Sequence, residues 1–237
     1  MTNPFVVTER YVGPEYFCDR ETETAELLSN IVNGRNTVLI SLRRMGKSGL
    51  VSHLYNKEEI RRGYECFFLD IYDTTSIDDF VLLFSKEVVS RLQSQGMKFI
   101  EKFISIVNSM RVSFGSDPVT GQPSIEVSLQ EIKNPVKTLE QIFSFLESSS
   151  QPCVVTIDEF QQIGEWQDSL TVQKRLRGVW QHQQHVSYCL FGSKQHMMTH
   201  LFQNKRMPFY QFGEPNYLHP IPTEDWIPFI QSKFADK

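Results

Sequence analysis

Val38-Leu-Ile-Ser-Leu-Arg-Arg-Met-Gly-Lys-Ser-Gly-Leu-Val51 places Gly46-Lys47-Ser48 directly after a hydrophobic run and directly before a helix-compatible one. Strand, loop, then a helix opening on Lys-Ser is the order that holding the phosphates of a nucleotide requires. Successive backbone N–H groups and the positive end of the helix dipole then face the anion. Arg43, Arg44, Met45, Gly46, Lys47, Ser48 and Gly49 form the candidate nucleotide-binding loop. Lys47 is placed to reach the β/γ-phosphates, and the Ser48 hydroxyl to complete a Mg²⁺ shell. One element departs from the phosphate-loop (Walker A) pattern G-x-x-x-x-G-K-[ST]: its first position is Ser41. A left-handed backbone there would cost more than with glycine. The competing reading is a Gly-Lys-Ser turn on a basic surface.

Cys153-Val-Val-Thr-Ile-Asp-Glu-Phe160 favours the phosphate reading. A short apolar run ending in paired acids reads as a buried parallel strand of the Walker B kind. Open α/β sheets place their ligands at the carboxyl ends of such strands. Asp158 is then a Mg²⁺-supporting residue beside Ser48, and Glu159 is positioned to polarise an attacking water. Otherwise the two acids merely begin a loop.

The 237 residues suffice for one large α/β domain or two small ones. The net charge of −4 gives no general pull toward nucleic acid or anionic membrane, so any such contact must come from a local patch. No apolar run approaches the roughly 20 residues of a membrane span, and the amino terminus lacks a signal-peptide pattern. Cys18, Cys66, Cys153 and Cys189 are widely separated and read as buried thiols in a reducing compartment, not as a disulfide frame or zinc site. A cytoplasmic protein is expected.

Strands are predicted at Thr37–Ile40, Tyr64–Ile71, within the acid-ended run Cys153–Phe160, and at Val186–Ser193 and Tyr217–His219. Helices are predicted at Glu21–Val32, Lys47–Tyr55, Phe80–Leu92, Phe99–Met110, Thr138–Leu146, Val172–His182, Gln195–Phe202 and Thr223–Phe234. The alternation predicts a mainly parallel sheet with helices on both faces, an α/β fold of the P-loop NTPase class. Residues 111–129, two alternating runs around a Gly/Pro/Asp tip, read as a β-hairpin inserted off the main sheet.

Five segments in order resemble the archaeal-type ATPases of the STAND branch of the AAA+ superfamily, especially the ATP-binding proteins common in gut Bacteroidetes. They are Tyr16-Phe-Cys-Asp-Arg-Glu-Thr-Glu23, Arg43-Arg44-Met45-Gly46-Lys47-Ser48, Leu69-Asp70-Ile71-Tyr72, Ile157-Asp158-Glu159-Phe160 and Phe191-Gly192-Ser193. The hairpin tip Ser116–Pro123 is also similar to one in the gut group. The resemblance implies that residues 1–237 are an ATPase domain binding ATP or ADP with Mg²⁺. It implies that Arg20 and Glu21 border the adenine and ribose, with Asp19 standing where the family has glycine. Lys47 and Ser48 bind phosphates and Mg²⁺, Asp158 supports the metal, Glu159 is the catalytic base, and Ser193 orients water or the γ-phosphate. After Pro208-Phe209-Tyr210, where many members have Gly-Arg, this chain has Gln211-Phe212. A γ-phosphate counter-charge is therefore expected to be absent, at more cost to hydrolysis than to binding. Members continue into a helical lid and a further domain, so the chain is expected to lack both.

Other signals are weaker. His196-Met-Met-Thr-His200 has metalloprotease spacing but Met197 where the base should be, and reads as an ordinary helical pair. Asn204-Lys205-Arg206-Met207 lacks the Asp that would pair with guanine, which favours ATP over GTP. Arg43 and Arg44 either contact phosphate or a neighbouring subunit or lie on a solvated loop. Arg175 or Arg177 is a candidate arginine finger acting in trans in a homo-oligomer; the alternative is a solvated helix face. The functional expectation is an ATPase coupling Mg²⁺-ATP binding and slow hydrolysis to a conformational change, read by a nucleic-acid or protein partner through the C-terminal region. The alternatives are a non-hydrolysing nucleotide-sensing scaffold and a DNA-associated defence or mobile-element ATPase.

Overall fold

The computed structural model describes Tyr11 and residues 13–107, 110–116, 123–129 and 134–235. In chain order the elements are α1 (Glu21–Val32), β1 (Thr37–Ile40), α2 (Lys47–Tyr55), α3 (Glu58–Gly63), β2 (Glu65–Asp70), α4 (Ile77–Gln93), α5 (Met97–Ile106), β3 (Met110–Ser116), β4 (Pro123–Leu129), α6 (Pro135–Glu147), β5 (Cys153–Asp158), α7 (Ser169–Trp180), β6 (Val186–Gly192), α8 (Gln195–Gln203), β7 (Glu214–Tyr217) and α9 (Thr223–Ala235). Five strands form one parallel sheet in the order β2-β5-β6-β1-β7, while β3 and β4 pair antiparallel in a separate two-stranded sheet. The hairpin tip, residues 117–122, lies outside the described residues.

Every residue of β1, β5 and β6 is buried, so their near-continuous apolar composition follows from cover on both faces. The period of two divides them cleanly. Val38, Ile40, Val155, Ile157, Tyr188 and Leu190 pack into one core with residues of α4 to α8. Leu39, Val154, Cys189 and Phe191 pack into the other with residues of α1, α2 and α3. The larger core holds an aromatic cluster at the amino end of the sheet. Trp180 stacks on Tyr188 at 4.1 Å between ring centroids, with Phe209 and Phe212 packed around them. Among the described residues no helix is long and apolar enough to cross a membrane.

Local signals set several boundaries. A capping box at Ser76, whose hydroxyl accepts from Asp79 N–H, starts α4 three residues before its first buried residue, Phe80. Asn134 caps α6, with Pro135 at its first position. The structure corrects two predicted elements. The helix expected through Met110 ends at Ile106, and Met110 instead pairs with Leu129 across the hairpin. The last strand is Glu214–Tyr217, not Tyr217–His219, because its register against β1 runs from Thr37 to Ile40. An edge strand needs partners on one side only, so the polar stretch Glu214-Pro-Asn216 can serve; Pro220 and Pro222 then lack the N–H that pairing requires. The short helix α3 carried no periodicity to announce it.

Trp180 is 1% exposed and central to the aromatic cluster. Trp180→Ala should therefore lower stability by about 3–5 kcal/mol, read as a fall in the urea midpoint with the fold retained.

Candidate functional site

The loop between β1 and α2 begins at Ser41. Its N–H donates to the Gly192 carbonyl (3.3 Å) and its hydroxyl to the Leu42 carbonyl (2.9 Å). The left-handed positions of the loop are Arg44 (φ 65°) and Gly46 (φ 83°). The strain expected at Ser41 is therefore absent: the turn is made three residues later, and a fully buried serine closes its start. Lys47 and Ser48 open α2. The Lys47 ammonium donates to the Leu42 carbonyl at 3.5 Å, which folds it over the loop.

Opposite the loop, β5 delivers Asp158. Ser48 Oγ donates to Asp158 Oδ2 at 2.9 Å, joining residues 110 positions apart. Burial pushes the Asp158 carboxyl above the ordinary aspartate value, against the hydrogen bonds from Ser48 and the Glu159 N–H and the charge of Lys47. These two oxygens fit Mg²⁺. They are hard donors, and ligands about 2.1 Å from an octahedral Mg²⁺ lie about 3 Å apart. No cluster of three or more His, Cys, Asp or Glu suited to a metal occurs among the described residues.

Glu159 has a left-handed backbone (φ 56°, ψ 39°) and begins a 3₁₀ turn, Phe160–Gly164. Its Oε2 accepts from Ser193 Oγ at 2.8 Å, from the Ser193 N–H at 3.4 Å and from the Gln161 amide. Burial opposes its charge, but those bonds and Lys47 outweigh it and hold the carboxyl below the ordinary glutamate value. The two neighbouring acids are thus driven apart, with Asp158 raised and Glu159 lowered.

Around these groups lies a cleft of about 620 Å³, lined by residues 43–49, Asp158 and Glu159, and also by Asp70, Tyr72 and Asp73. None of the last three was assigned a site role from the sequence, although Asp70 and Tyr72 lie in a segment that carries the resemblance. The available signal was that β2 also ends in an acid, and Asp70 is the register partner of Asp158. The Arg43 guanidinium lies 5.8 Å from the centroid of the Tyr72 ring. A second recess of about 380 Å³ shares Arg44, Met45, Gly46 and Gly49 with the cleft and is otherwise lined chiefly by Phe17, Cys18, Arg20 and Trp226. A charged cleft beside a partly apolar recess has the polarity of a nucleotide.

Arg20, 4% exposed, lines the recess with its guanidinium already engaged. It bonds Glu23 (2.6 Å), the Met45 carbonyl (3.3 Å) and the His219 carbonyl (2.7 Å). Glu21 is exposed in the first turn of α1 and lines neither cavity. Gln161 is the other residue missed by sequence reasoning, hidden in a turn without periodicity. His196 and His200 are exposed on α8. Burial pushes the Cys66, Cys153 and Cys189 thiols up to about 12, so they stay protonated.

Phe212 requires a correction. It precedes β7, and the adjoining Gly213 abuts the Asn36 carbonyl just before β1. Position 212 therefore lies at the amino ends of the strands, across the sheet from the loop. The phenyl ring is in the aromatic cluster, and the Arg177 guanidinium stacks over it at 4.7 Å. The phosphate side thus loses nothing through Phe212. Arg177 is engaged on its own chain, and Arg175 is exposed on α7.

No protein-family profile matches the chain. No curated protein matches it in sequence. Solved structures do match in fold. A Walker-type ATPase of Pyrococcus abyssi superposes with TM-score 0.65 at 16% identity, covering 97% of this chain and 61% of its own. The ORC2 protein of Aeropyrum pernix, solved in ADPNP–ADP complexes, gives 0.61 at 12% identity over 96% and 54%. The ORC1 protein of the same organism, solved with DNA, gives 0.59 at 13% identity over 94% and 52%. This chain spans between about half and three-fifths of the length of these neighbours. The fold is that of the P-loop NTPases, in the form seen in archaeal ORC-type proteins.

Two outcomes are expected. Phe212→Arg buries a second cation against Arg177 and should destabilise by about 3 kcal/mol or more, without raising any ATP turnover; paired denaturation and hydrolysis assays check this. The raised Asp158 pKa means that the folded state binds this proton more tightly than the unfolded chain does. Its burial therefore costs stability above the unfolded value of about 3.9, and the cost is complete once pH exceeds the folded value. Asp158→Asn should accordingly be more stable than wild type at neutral pH in ligand-free urea melts, with the difference shrinking as pH falls into the acid range.

Proposed function

We propose that this chain is a Mg²⁺-dependent ATPase domain of the STAND type that couples ATP binding and slow hydrolysis to a conformational change. The observation carrying this reading is the 2.9 Å contact between Ser48 and Asp158 in the lining of a cleft that Lys47 and Glu159 also line. In this reading the loop N–H groups and Lys47 bind the β/γ-phosphates. Ser48 and Asp158 hold Mg²⁺, which supplies charge neutralisation on the phosphates. Glu159, kept ionised, orients and deprotonates the attacking water, and Ser193 fixes its carboxylate. The recess beside Arg20 and Trp226 takes the base and ribose. The Arg20 guanidinium joins the Met45 carbonyl of the loop to the His219 carbonyl just ahead of the Pro220–Pro222 connection to α9. A loop that moves on binding nucleotide would pull on that connection, which supports the switching part of the proposal.

A specific observation favours a second reading, a nucleotide-sensing scaffold without turnover. One Glu159 oxygen already accepts three hydrogen bonds, an arrangement that also suits a resting site. A DNA partner is the further proposal prompted by the ORC1 neighbour, which was solved with DNA. With a net charge of −4, contact would have to come from a local basic patch such as Arg43 and Arg44.

Lys47→Ala should abolish ATP affinity measurable by calorimetry while the circular-dichroism spectrum stays unchanged; wild-type affinity in the variant would sink the phosphate-loop assignment. Glu159→Gln should keep ATP binding and slow single-turnover hydrolysis by about 10²–10⁴. Unchanged turnover would remove the base from the scheme, and absent wild-type turnover would establish the sensor.

A further inference from the structure

We propose that Gln161 is a positioning residue for Glu159 and that residue 192 is glycine because the Gln161 side chain occupies the space a larger residue would need. This inference rests on the ATPase reading and deepens it.

Gln161 is 1% exposed, two residues beyond Glu159 in the 3₁₀ turn. Its amide donates to Glu159 Oε2, the oxygen that also accepts from the Ser193 hydroxyl and N–H. Three donors on one oxygen fix the carboxylate against rotation. No hydrogen bond among the described residues engages Oε1, and Glu159 lines the cleft. Oε1 is therefore the oxygen left to meet a water. The other end of Gln161 accounts for the glycine. Its Oε1 has no hydrogen-bond partner among the described residues and lies where a Cβ at position 192 would be, alongside Met198 Sδ and Cγ. A methyl group at 192 would displace Gln161, Met198 or both. A glutamine carbonyl buried without a partner is unfavourable, so burial alone does not explain this residue. The amide donated to Glu159 does.

A pure packing role and a positioning role differ in what they move. Gln161→Leu leaves a branched apolar side chain, one bond shorter, in the buried space and removes the donor. In the full chain, single-turnover hydrolysis of radiolabelled Mg-ATP should fall about 10- to 100-fold in this variant. ATP affinity by calorimetry should stay within about twofold of wild type, a loss confined to the chemical step. Gly192→Ala should produce the same split where it folds; Gln161→Leu decides if it does not. In a Glu159→Gln background, Gln161→Leu should cost little more, because the group it positions has gone. A readout independent of turnover is the Gln161 side-chain amide resonance, identified by its loss in Gln161→Leu, which should shift in Glu159→Ala. Wild-type hydrolysis in Gln161→Leu, an equal loss in the Glu159→Gln background, or an amide resonance indifferent to Glu159→Ala would each overturn the proposal. Glu159→Gln with wild-type turnover would instead refute the base itself, and the positioning role with it.

Discussion

Four parallel strands end within about one residue of a common level, and the cleft depends on that register. Ile40 of β1 is level with Gly192 of β6, Ile157 of β5 with Leu190, and Asp70 of β2 with Asp158. Because the strands are parallel, their carboxyl ends lie together and their following loops converge. Ser41 is tied to Gly192, Ser193 meets Glu159, and Ser48 in the first turn of α2 meets Asp158. A shift of one residue in any of these strands would turn its apolar side chains toward the wrong core and separate those polar ends. Cleft geometry is thus a consequence of core packing. The large aromatic residues that fix the packing, Trp180, Tyr188 and Phe212, lie at the far end of the sheet.

The polar groups at the cleft are held at some cost to the fold. Asp158 is buried with its carboxyl raised above the ordinary value. Glu159 and Arg44 adopt left-handed backbones that non-glycine residues seldom take, and Asp19 and Arg20 do so at the entrance to α1. Such strain persists where surrounding structure over-determines it, and it clusters at working sites. Each of these three segments contributes a residue to the lining of the cleft or the adjoining recess. No comparable concentration is seen elsewhere, since the one remaining non-glycine residue of positive φ, among the described residues, is Gln211 before β7.

Much of this was legible in the sequence because strong periodicity and the phosphate-loop spacing are local signals. The strand Thr37–Ile40 and the helices Glu21–Val32 and Lys47–Tyr55 follow directly from them, as does a strand within the run Cys153–Phe160, which ends at Asp158. The contacts that join them were harder to read. Gln161 sits in a 3₁₀ turn with no repeating pattern, and only the assembled sheet brings it to Gly192. Phe212 shows the opposite failure. Its position after Pro208-Phe209-Tyr210 invited a phosphate role by resemblance, yet the chain reverses there and carries the residue to the amino end of the sheet. Ser41 was judged by the glycine it replaces, whereas the turn is made at Arg44 and Gly46. Local sequence names the element; which end of the sheet a residue reaches is a property of the topology.

The central claim is that Ser48 and Asp158 together hold a divalent cation against bound nucleotide phosphates. Substituting Mn²⁺ for Mg²⁺ makes that directly visible, because a phosphate ligand to Mn²⁺ gives a ³¹P hyperfine coupling in electron–nuclear double resonance. The account predicts Mn²⁺ binding that requires ADP or a non-hydrolysable ATP analogue, a ³¹P coupling in the complex, and loss of both in Asp158→Ala. Mn²⁺ that binds equally without nucleotide, or a ³¹P coupling that survives the loss of Asp158, would contradict it.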